Sequence, residues 1–486
     1  MGTSSRCITY FLPPRSHIRL VLVPILRLQS TQSKRHFISR VKQTNGTWMA
    51  QSRASLTSCQ AANWRSPLAA DSSGKVPGLN AAAPTRGRRD AWSGFVEVRI
   101  PVTSPDMNIP GFHSLGITAA GRYSSYDPGG DSKVPKVLVR WQPFDEQVTV
   151  RGSYSQSFIA PTTFDLFGGA AENNPFLTVG GAQAQLTTVN VSTRTLKPVD
   201  AENYGGGIVV SPKIVPGLTV SVDYYHVKTE KDIFRLSEQA MADDLNANGS
   251  ASIYAPNFRF DDGSQLTSPA TNQITINNWG SLRVPLANGA SQETYGLDLA
   301  ATYQLNTDQW GKFIFYANAN VLFSYKYADP TIGGPFQYAG QYTDRLNGIG
   351  GGQGLLPDYI INTGVTWEYP VRQDSLLVSL NATYIPETKD LGTLHPAVGG
   401  TSNDFTVDGS AWKIDPWFKI DMRVAYEFGK NKQTKAWYDG TTVAIGVNNI
   451  TDEKPPIIAS SFEDNTDKST YDLLGRFVYF EVAKKF

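Results

Sequence analysis

The chain ends in the sequence Gly475-Arg476-Phe477-Val478-Tyr479-Phe480-Glu481-Val482-Ala483-Lys484-Lys485-Phe486. Val478, Phe480, Val482 and Phe486 share one face if this stretch is a strand, because successive side chains of a strand point to opposite faces. Chain ends of soluble proteins usually fray. In lipid, by contrast, a sheet edge with unpaired backbone groups is costly. The segment therefore predicts the last strand of a membrane β-sheet.

The same alternation recurs upstream, where the second face carries charge. Phe418, Ile420, Met422 and Val424 alternate with a polar set, and we expect these four side chains to face lipid. The polar side chains expected to line a hydrated lumen are Asp223, Lys419, Asp421 and Arg423. A water-soluble β-sandwich is the alternative. Such strands average about 5–6 residues, whereas the segments here run about twice that, as membrane strands do.

Thirteen strand-like segments follow one another from Trp92 onward. Their expected bounds are 92–101, 113–125, 134–142, 147–158, 202–212, 218–229, 293–305, 312–326, 358–370, 375–386, 415–428, 440–450 and 475–486. This pattern predicts an all-β fold, an antiparallel transmembrane β-barrel. In an antiparallel array the first and thirteenth strands run the same way and cannot pair to close it. We therefore predict an incomplete, open barrel of about thirteen strands, in which an odd number of further strands is missing, miscounted or supplied otherwise.

The connections between these segments alternate in length. Four short ones are 142–147, 214–217, 306–311 and 370–374, and five long ones are 159–201, 230–292, 327–357, 387–414 and 451–474. Short turns on one side and long loops on the other are typical of outer-membrane barrels. A sandwich gives no reason for such alternation.

Charge divides the chain into two regions. Residues 1–89 contain fourteen Lys and Arg and a single acid, Asp71. Removing these from totals of 44 and 43 leaves 30 basic and 42 acidic residues in 90–486. We expect an acidic C-terminal barrel portion over 90–486 that does not bind nucleic acid, since that would require clustered Lys and Arg.

Residues 1–89 show no alternation of apolar and polar residues, and we assign no function to them. The stretch 18–28 is a possible but poor secretory core, because Arg19 and Arg27 charge its ends and Pro24 interrupts it. A basic, acid-poor sequence also suits an organellar transit peptide or a nucleic-acid-binding arm. The interpretation we prefer is a disordered leader, from a misplaced start or a foreign reading frame.

Signals for catalysis or a cofactor are weak. The two cysteines, Cys7 and Cys59, both lie in the leader. The five histidines are scattered, and none has a partner at the spacing of a metal site. We predict no enzyme activity, no metal and no cofactor.

Several segments carry a family resemblance when taken in order. They are Ala119-Ala120-Gly121-Arg122-Tyr123, Val134 to Pro143, Val150 to Pro161 with its Phe-x-Ala-Pro turn, Glu202-Asn203-Tyr204, Tyr295-Gly296-Leu297-Asp298, Gly446 to Pro456, and Leu474 to Phe486. Over residues 92–486 this set resembles the C-terminal part of the barrel of TonB-dependent outer-membrane receptors. Nothing upstream of 92 resembles their plug domain or TonB box. The resemblance therefore implies a fragment, lacking the plug and about nine strands of a twenty-two-stranded barrel.

The resemblance also implies a function. It is active, TonB-coupled uptake of a scarce ligand (a siderophore, cobalamin or an oligosaccharide) across the outer membrane of a Gram-negative bacterium. Implied partners are outer-membrane lipid, an extracellular small ligand, the barrel-assembly machinery through the strand ending at Phe486, and TonB only where a plug is present. The alternatives are a passive porin-like or structural barrel and a soluble β-rich binding protein. Candidate ligand contacts in the loops 230–292 and 327–357 are Tyr254, Phe258, Phe260, Trp279, Tyr338 and Tyr342, each of which loop packing would also explain.

Overall fold

Thirteen long strands dominate the fold. The computed structural model describes residues 87–270, 273–331, 333–342, 354–390, 412–429, 436–458, 461 and 465–485. The long strands are β1 Asp90–Thr103, β2 Ser114–Asp127, β3 Gly130–Gln142, β4 Val148–Ile159, β5 Val199–Val210, β6 Leu218–Arg235, β7 Trp279–Thr307, β8 Gly311–Asp329, β9 Tyr359–Val371, β10 Asp374–Ile385, β11 Trp417–Glu427, β12 Thr441–Asn448 and β13 Phe477–Lys484. All thirteen predicted strands are present.

These strands form one sheet in chain order. Each pairs antiparallel with the next, from β1 with β2 through to β12 with β13. The all-β antiparallel fold is confirmed. β1 and β13 run in the same direction, and within the described part of the chain the pairings join successive long strands. Residues 1–86, most of the predicted leader, and Phe486 lie outside the described residues.

Connection lengths define two sides of the sheet. The short-turn side holds 104–113, 143–147, 211–217, 308–310, 372–373 and 428–440, and the long-loop side holds 160–198, 236–278, 330–358, 386–416 and 449–476. One connection breaks the alternation. Pro128 and Gly129 alone join β2 to β3 on the long-loop side.

Two strands extend beyond their predicted ends on the long-loop side. β6 continues to Arg235 and β7 begins at Trp279, whereas the alternation predicted 218–229 and 293–305. The extra residues remain paired as far as Arg235 opposite Leu286, after an irregularity near Asp232. A membrane strand needs about 9–11 residues, so the 29 residues of β7 continue well past one such span.

The connections between the long strands, chiefly the long loops, contain the remaining secondary structure. The helices are α1 Thr163–Phe167 and α2 Glu238–Asn248, with 3-10 turns at Gly249–Ala251 and Ala255–Asn257 and a further one at Pro105–Met107 in a short turn. The short strands are Ala171–Asn173, Phe176–Val179, Ala182–Gln185, Thr188–Val191, Phe258–Phe260, Gly333–Gln337, Gln341–Tyr342, Leu355–Leu356, Thr388–Asp390 and Trp412–Ile414. No described helix has the length and apolar character needed to cross a membrane.

Candidate ligand surface and lumen

A row of aromatic rings follows the apolar face of the sheet near the long-loop side. Tyr154, Tyr204, His226 and Tyr295 lie on four successive strands, and neighbouring ring centroids are 5.1, 5.8 and 5.7 Å apart. Tyr204 and His226 share this face with exposed Val222, because residues two apart on a strand point the same way. Further rings of the row are Trp92 with Tyr123, and Tyr359 with Tyr384.

A second aromatic row lies near the short-turn side. Tyr303, Phe315, Phe313 and Trp367 contact in sequence, with centroid separations of 6.2, 6.3 and 6.1 Å. Tyr and Trp rings concentrate at both interfaces of a bilayer, where one end of the ring meets lipid and the other water. The two rows therefore mark the borders of a lipid-facing band.

The two rows are eight residues apart on each of three strands. The pairs are Tyr295 and Tyr303 on β7, Tyr359 and Trp367 on β9, and Phe418 and Tyr426 on β11. Eight residues span about 26 Å of strand, or about 20 Å of height at a tilt near 40°. That is close to the apolar band of about 25 Å that such barrels present to lipid.

The opposite face of the sheet is polar and extensively hydrogen-bonded. Arg151 on β4 reaches across β5 to Asp223 on β6, with its Nε 2.7 Å from a carboxylate oxygen. The residue between them is Gly207, where a Cβ atom would collide with that carboxylate. On later strands, Asn320 donates to Asp298 at 2.8 Å and Arg423 donates to Glu481 at 2.9 Å. This polar face is the lumen wall.

The loops 160–198 and 236–278 fold together into a compact unit, the loop module. Its core contains Leu177, Val179, Leu186, Met241, Ala242, Leu245, Ala255, Phe258, Leu266, Ile274, Trp279, Leu282 and Val284. α2 supplies three of these at helical spacing, and its first turn is capped by the Ser237 hydroxyl, which accepts the Ala240 N–H at 3.3 Å. The amide of Gln239 joins the two loops by pairing with both the N–H and the carbonyl of Thr178 at 2.9 Å.

The six predicted ligand residues lie in three packed cores on the long-loop side. Phe258 and Trp279 are buried in the loop module, with Tyr254 and Phe260 packed partly buried against it. Tyr338 is buried in a second core with Phe234 and Tyr327. Tyr342 is buried in a third core, with Trp417 and Tyr471. The structure therefore brings four of the six together and places the other two separately, and their role in binding stays a prediction.

A pocket of about 380 Å³ opens in the loop module, and the six predicted residues are not among those that line it. Its lining is Ser250, Ser252, Ile253, Ala255, Pro256, Arg259, Gln265 and Leu266. The Arg259 guanidinium donates to the carbonyls of Pro256 and Phe258, at 3.0 and 2.6 Å. The pocket falls at the small end of the range typical of small-ligand sites, about 300–1,000 Å³.

Electrostatics near the loops follow burial and pairing. Burial raises the pKa of the Tyr254 hydroxyl, and nearby Asp244 raises it further. The Arg476 backbone N–H and the Lys454 ammonium lower the pKa of Asp452, which accepts from both. Within the described ranges, no three His, Cys, Asp or Glu side chains cluster in a way that could hold a metal ion.

Sequence reasoning missed both the aromatic rows and the loop module. The eight-residue spacing, as between Phe418 and Tyr426, is visible in the sequence and could have located the rows. The loop module left a weaker signal. Its apolar residues come from two separate loops and from the start of β7, and they show neither strand nor helix periodicity over any long stretch.

The sequence matches the family of TonB dependent receptor-like β-barrels over residues 18–450. The chain belongs to this family. The match begins within residues 1–89, to which the sequence analysis assigned no function, and it ends before β13. A search of curated proteins found no match for the chain.

Solved structures show the same fold. The ferric enterobactin receptor PfeA of Pseudomonas aeruginosa, in a mutant form, is 17% identical with a TM-score of 0.51, over 85% of this chain and 47% of that one. The siderophore receptor PirA of Acinetobacter baumannii is 16% identical with a TM-score of 0.50, over 81% and 45%. A PfeA mutant in complex with enterobactin is 15% identical with a TM-score of 0.52, over 81% and 45%. The chain spans about half the length of these structures.

Proposed function

We propose that this chain forms part of the β-barrel of an outer-membrane receptor. The receptor takes up a scarce ligand from outside a Gram-negative cell. The single observation that carries the proposal is that three surfaces occur together on one sheet. A lipid-facing band between two aromatic rows lies on one face, a polar lumen wall lies on the opposite face, and folded loops stand at one end of the strands. Family membership supports the same function.

The direction of transport follows from the loops. Long loops face the outside in barrels of this kind, and short turns face the periplasm. The loop module and its pocket would then meet the ligand first. Tyr254 and Phe260, which are only partly buried, are the proposed first contacts. The buried rings of Phe258 and Trp279 would hold the module in shape.

Uptake in this proposal is coupled to TonB, and the ligand is a ferric siderophore, cobalamin or an oligosaccharide. Structural neighbours support the siderophore class most, since the solved receptors above are siderophore or ferric enterobactin receptors. Assembly would use the barrel-assembly machinery, engaged by the C-terminal segment that contains β13 and has Phe486 as its last residue.

Location and topology can be tested together in cells. The gene that encodes this chain is expressed with an epitope tag inserted after Gly263, at an exposed turn of the loop module. Membranes are then separated on a density gradient, and intact cells are probed with the antibody. The proposal expects the protein in the outer-membrane fraction with the tag accessible from outside. Recovery in the soluble fraction would contradict it.

Transport is tested by growth and uptake with the same gene deleted and restored. Strains receive iron as one of several ferric siderophores, or cobalamin or an oligosaccharide as the limiting nutrient. The proposal expects uptake of one ligand class to require the gene, TonB and a proton gradient. Uptake that needs the gene but survives loss of TonB would favour the passive, porin-like alternative.

A further inference from the structure

The lumen wall is not uniformly charged. On β1 to β4 it carries five basic residues, Arg99, Arg122, Lys136, Arg140 and Arg151, and one acid, Glu97. We call these five residues the basic wall. Register places them on one face, since Arg140 lies directly opposite Arg151 and Lys136 is two residues before Leu138, opposite Ser153. The basic wall interrupts a body, residues 90–486, in which acids outnumber bases by 42 to 30.

Four residues of the basic wall have no carboxylate partner among the described residues, and three of these four have no side-chain hydrogen bond there either. Arg151 is paired with Asp223, and Arg122 donates to the hydroxyls of Ser124 and Ser93 at 3.0 and 3.2 Å. In that same part of the chain, neither a hydrogen bond nor an ion pair engages the side chains of Arg99, Lys136 and Arg140. All three are exposed on the lumen side.

The later strands offer a contrast on the same lumen face. Each cation there has a carboxylate close by. Lys312 lies 3.9 Å from Glu368, Lys419 lies 3.4 Å from Asp421, and Arg423 lies 2.9 Å from Glu481. One wall of the lumen is therefore internally neutralised, whereas the wall formed by β1 to β4 keeps an unbalanced positive charge.

The basic wall lies at the depth of the lipid-facing band, where its excess positive charge can attract anions strongly. On β3 it lies between Lys133, which is opposite Tyr123 of the long-loop aromatic row, and Trp141 near the short turns. Lys136 is thus close to the middle of the lipid-facing band. Charges of one sign in a water-filled cleft with low-dielectric walls focus their field and concentrate counter-ions. Arg140 opposite Arg151 also places like charges across a strand pair. Asp223 offsets the charge of Arg151, whereas no described carboxylate pairs with Arg140.

We propose that the basic wall binds a small multivalent anion within the lumen, and that the transported ligand carries several negative charges. This inference rests on the proposed uptake function and names the substrate class for it. Negative charges spaced like those of a polycarboxylate or polyphenolate complex would match Arg99, Lys136 and Arg140. A neutral oligosaccharide would leave all three unmatched.

The test measures binding of a pyrene trisulfonate dye to the refolded full chain in zwitterionic micelles, by fluorescence anisotropy. Wild-type protein should bind the dye, and the affinity should weaken as salt rises from about 0.05 to 0.5 M because the lumen charges are screened. The variant R99Q/K136Q/R140Q should bind at least about tenfold more weakly, since it removes the unpaired charge. The charge-conserving variant R99K/K136R/R140K should keep the wild-type affinity.

A matched control removes the same net charge elsewhere. K213Q/K413Q/K454Q loses three exposed lysines that lie in turns, loops or short loop strands. It should bind within about twofold of wild type. Equal binding by wild type and the wall variant, or equal weakening by the control, would overturn the proposal. Micellar binding needs no TonB, so its failure leaves the uptake proposal intact, and a failed uptake assay leaves the binding result intact.

Discussion

The lipid-facing band and the loop module both contain many apolar side chains, but these side chains point outward in the band and inward in the module. In the band, apolar side chains point outward and stay exposed, as Val222 and Phe480 do at 43% and 70%. Polar groups bond each other along the lumen wall, between nearby strands. In the loop module, apolar side chains such as Phe258 and Leu282 point inward and are fully buried. The change of solvent occurs along single strands. β7 begins among the buried residues of the module and continues into the band.

This inversion teaches that the two regions have separate sources of stability. The band depends on lipid as the solvent for its outer face and on an unbroken ladder of backbone hydrogen bonds. The loop module depends on its own water-excluding core, as a small soluble domain does. Damage to one region should therefore leave the other folded.

The largest effect is expected from truncating the loop module core. Phe258→Ala removes a fully buried ring that contacts Phe260 and Trp279, at centroid distances of 5.1 and 5.0 Å. Such truncations cost about 3–5 kcal/mol. Hydrogen exchange should show α2 losing protection while β11 and β12 keep theirs. Ile253→Ala, at a side chain 78% exposed, is the matched control and should change little. Equal loss of protection in module and band would show that the two regions unfold as one.

A charge placed in the band should have the next largest effect. Met422 lies midway between Phe418 and Tyr426, which belong to the two aromatic rows. Met422→Arg should therefore cost about 2–4 kcal/mol, and Tyr426→Arg at the border only about 0–1 kcal/mol. Asp421→Arg, on the lumen side, should be much milder than Met422→Arg. Reversible folding into phospholipid vesicles measures all three, and a flat profile across them would rule out the assigned band.

The sequence predicted the band far better than the loops, for a physical reason. Inside the band, every second residue meets lipid and the others meet water, so the period of two is strict, as from Phe418 to Tyr426. Beyond the band the rule lapses. Leu282 and Val284 of β7 are buried in the module with exposed Arg283 between them. This alternation covers only a few residues and includes Pro285, so it did not mark the extension as strand. Short loop strands such as Thr188–Val191 depend on partners distant in the chain, which periodicity cannot reveal.

The candidate ligand residues show the same limit. Aromatic composition located Tyr254, Phe258, Phe260 and Trp279 in one loop region, and these do lie together. Composition could not separate the fully buried Phe258 from the partly exposed Tyr254 and Phe260, because burial depends on contacts with the other loop. Similarly, the unpaired charge on β1 to β4 became visible only when register placed the side chains across from one another.

Breaking a lumen ion pair should have a smaller effect than either change above. Arg423 and Glu481 are 2.9 Å apart but remain 31% and 43% exposed, so water screens them. A double-mutant cycle of Arg423→Gln and Glu481→Gln should give a coupling of about 0.2–1 kcal/mol, decreasing with salt. Vesicle folding at two salt concentrations measures it. A coupling free energy as large as the Met422→Arg penalty would mean that water does not screen the lumen charges. That result would contradict the assignment of one face of the sheet to lipid and the other to water.

The smallest effect concerns the short-turn side, where Asp145 is held by Lys213 at 2.7 Å and by the backbone N–H of Gln147 at 2.8 Å. Lys213 chiefly, with Gln147, lowers the pKa of Asp145 to about 2 from its ordinary value of 3.8. Because the folded-state pKa is depressed, the stabilisation is present above the ordinary value and is lost as pH falls through about 2. The unfolding midpoint of wild type should slightly exceed that of Asp145→Asn near neutral pH. That difference should shrink only below about pH 4, because protonation abolishes the contacts that the carboxylate alone can make. A difference that persists unchanged at about pH 2 would show that the turn depends on the shape of the side chain rather than on its charge.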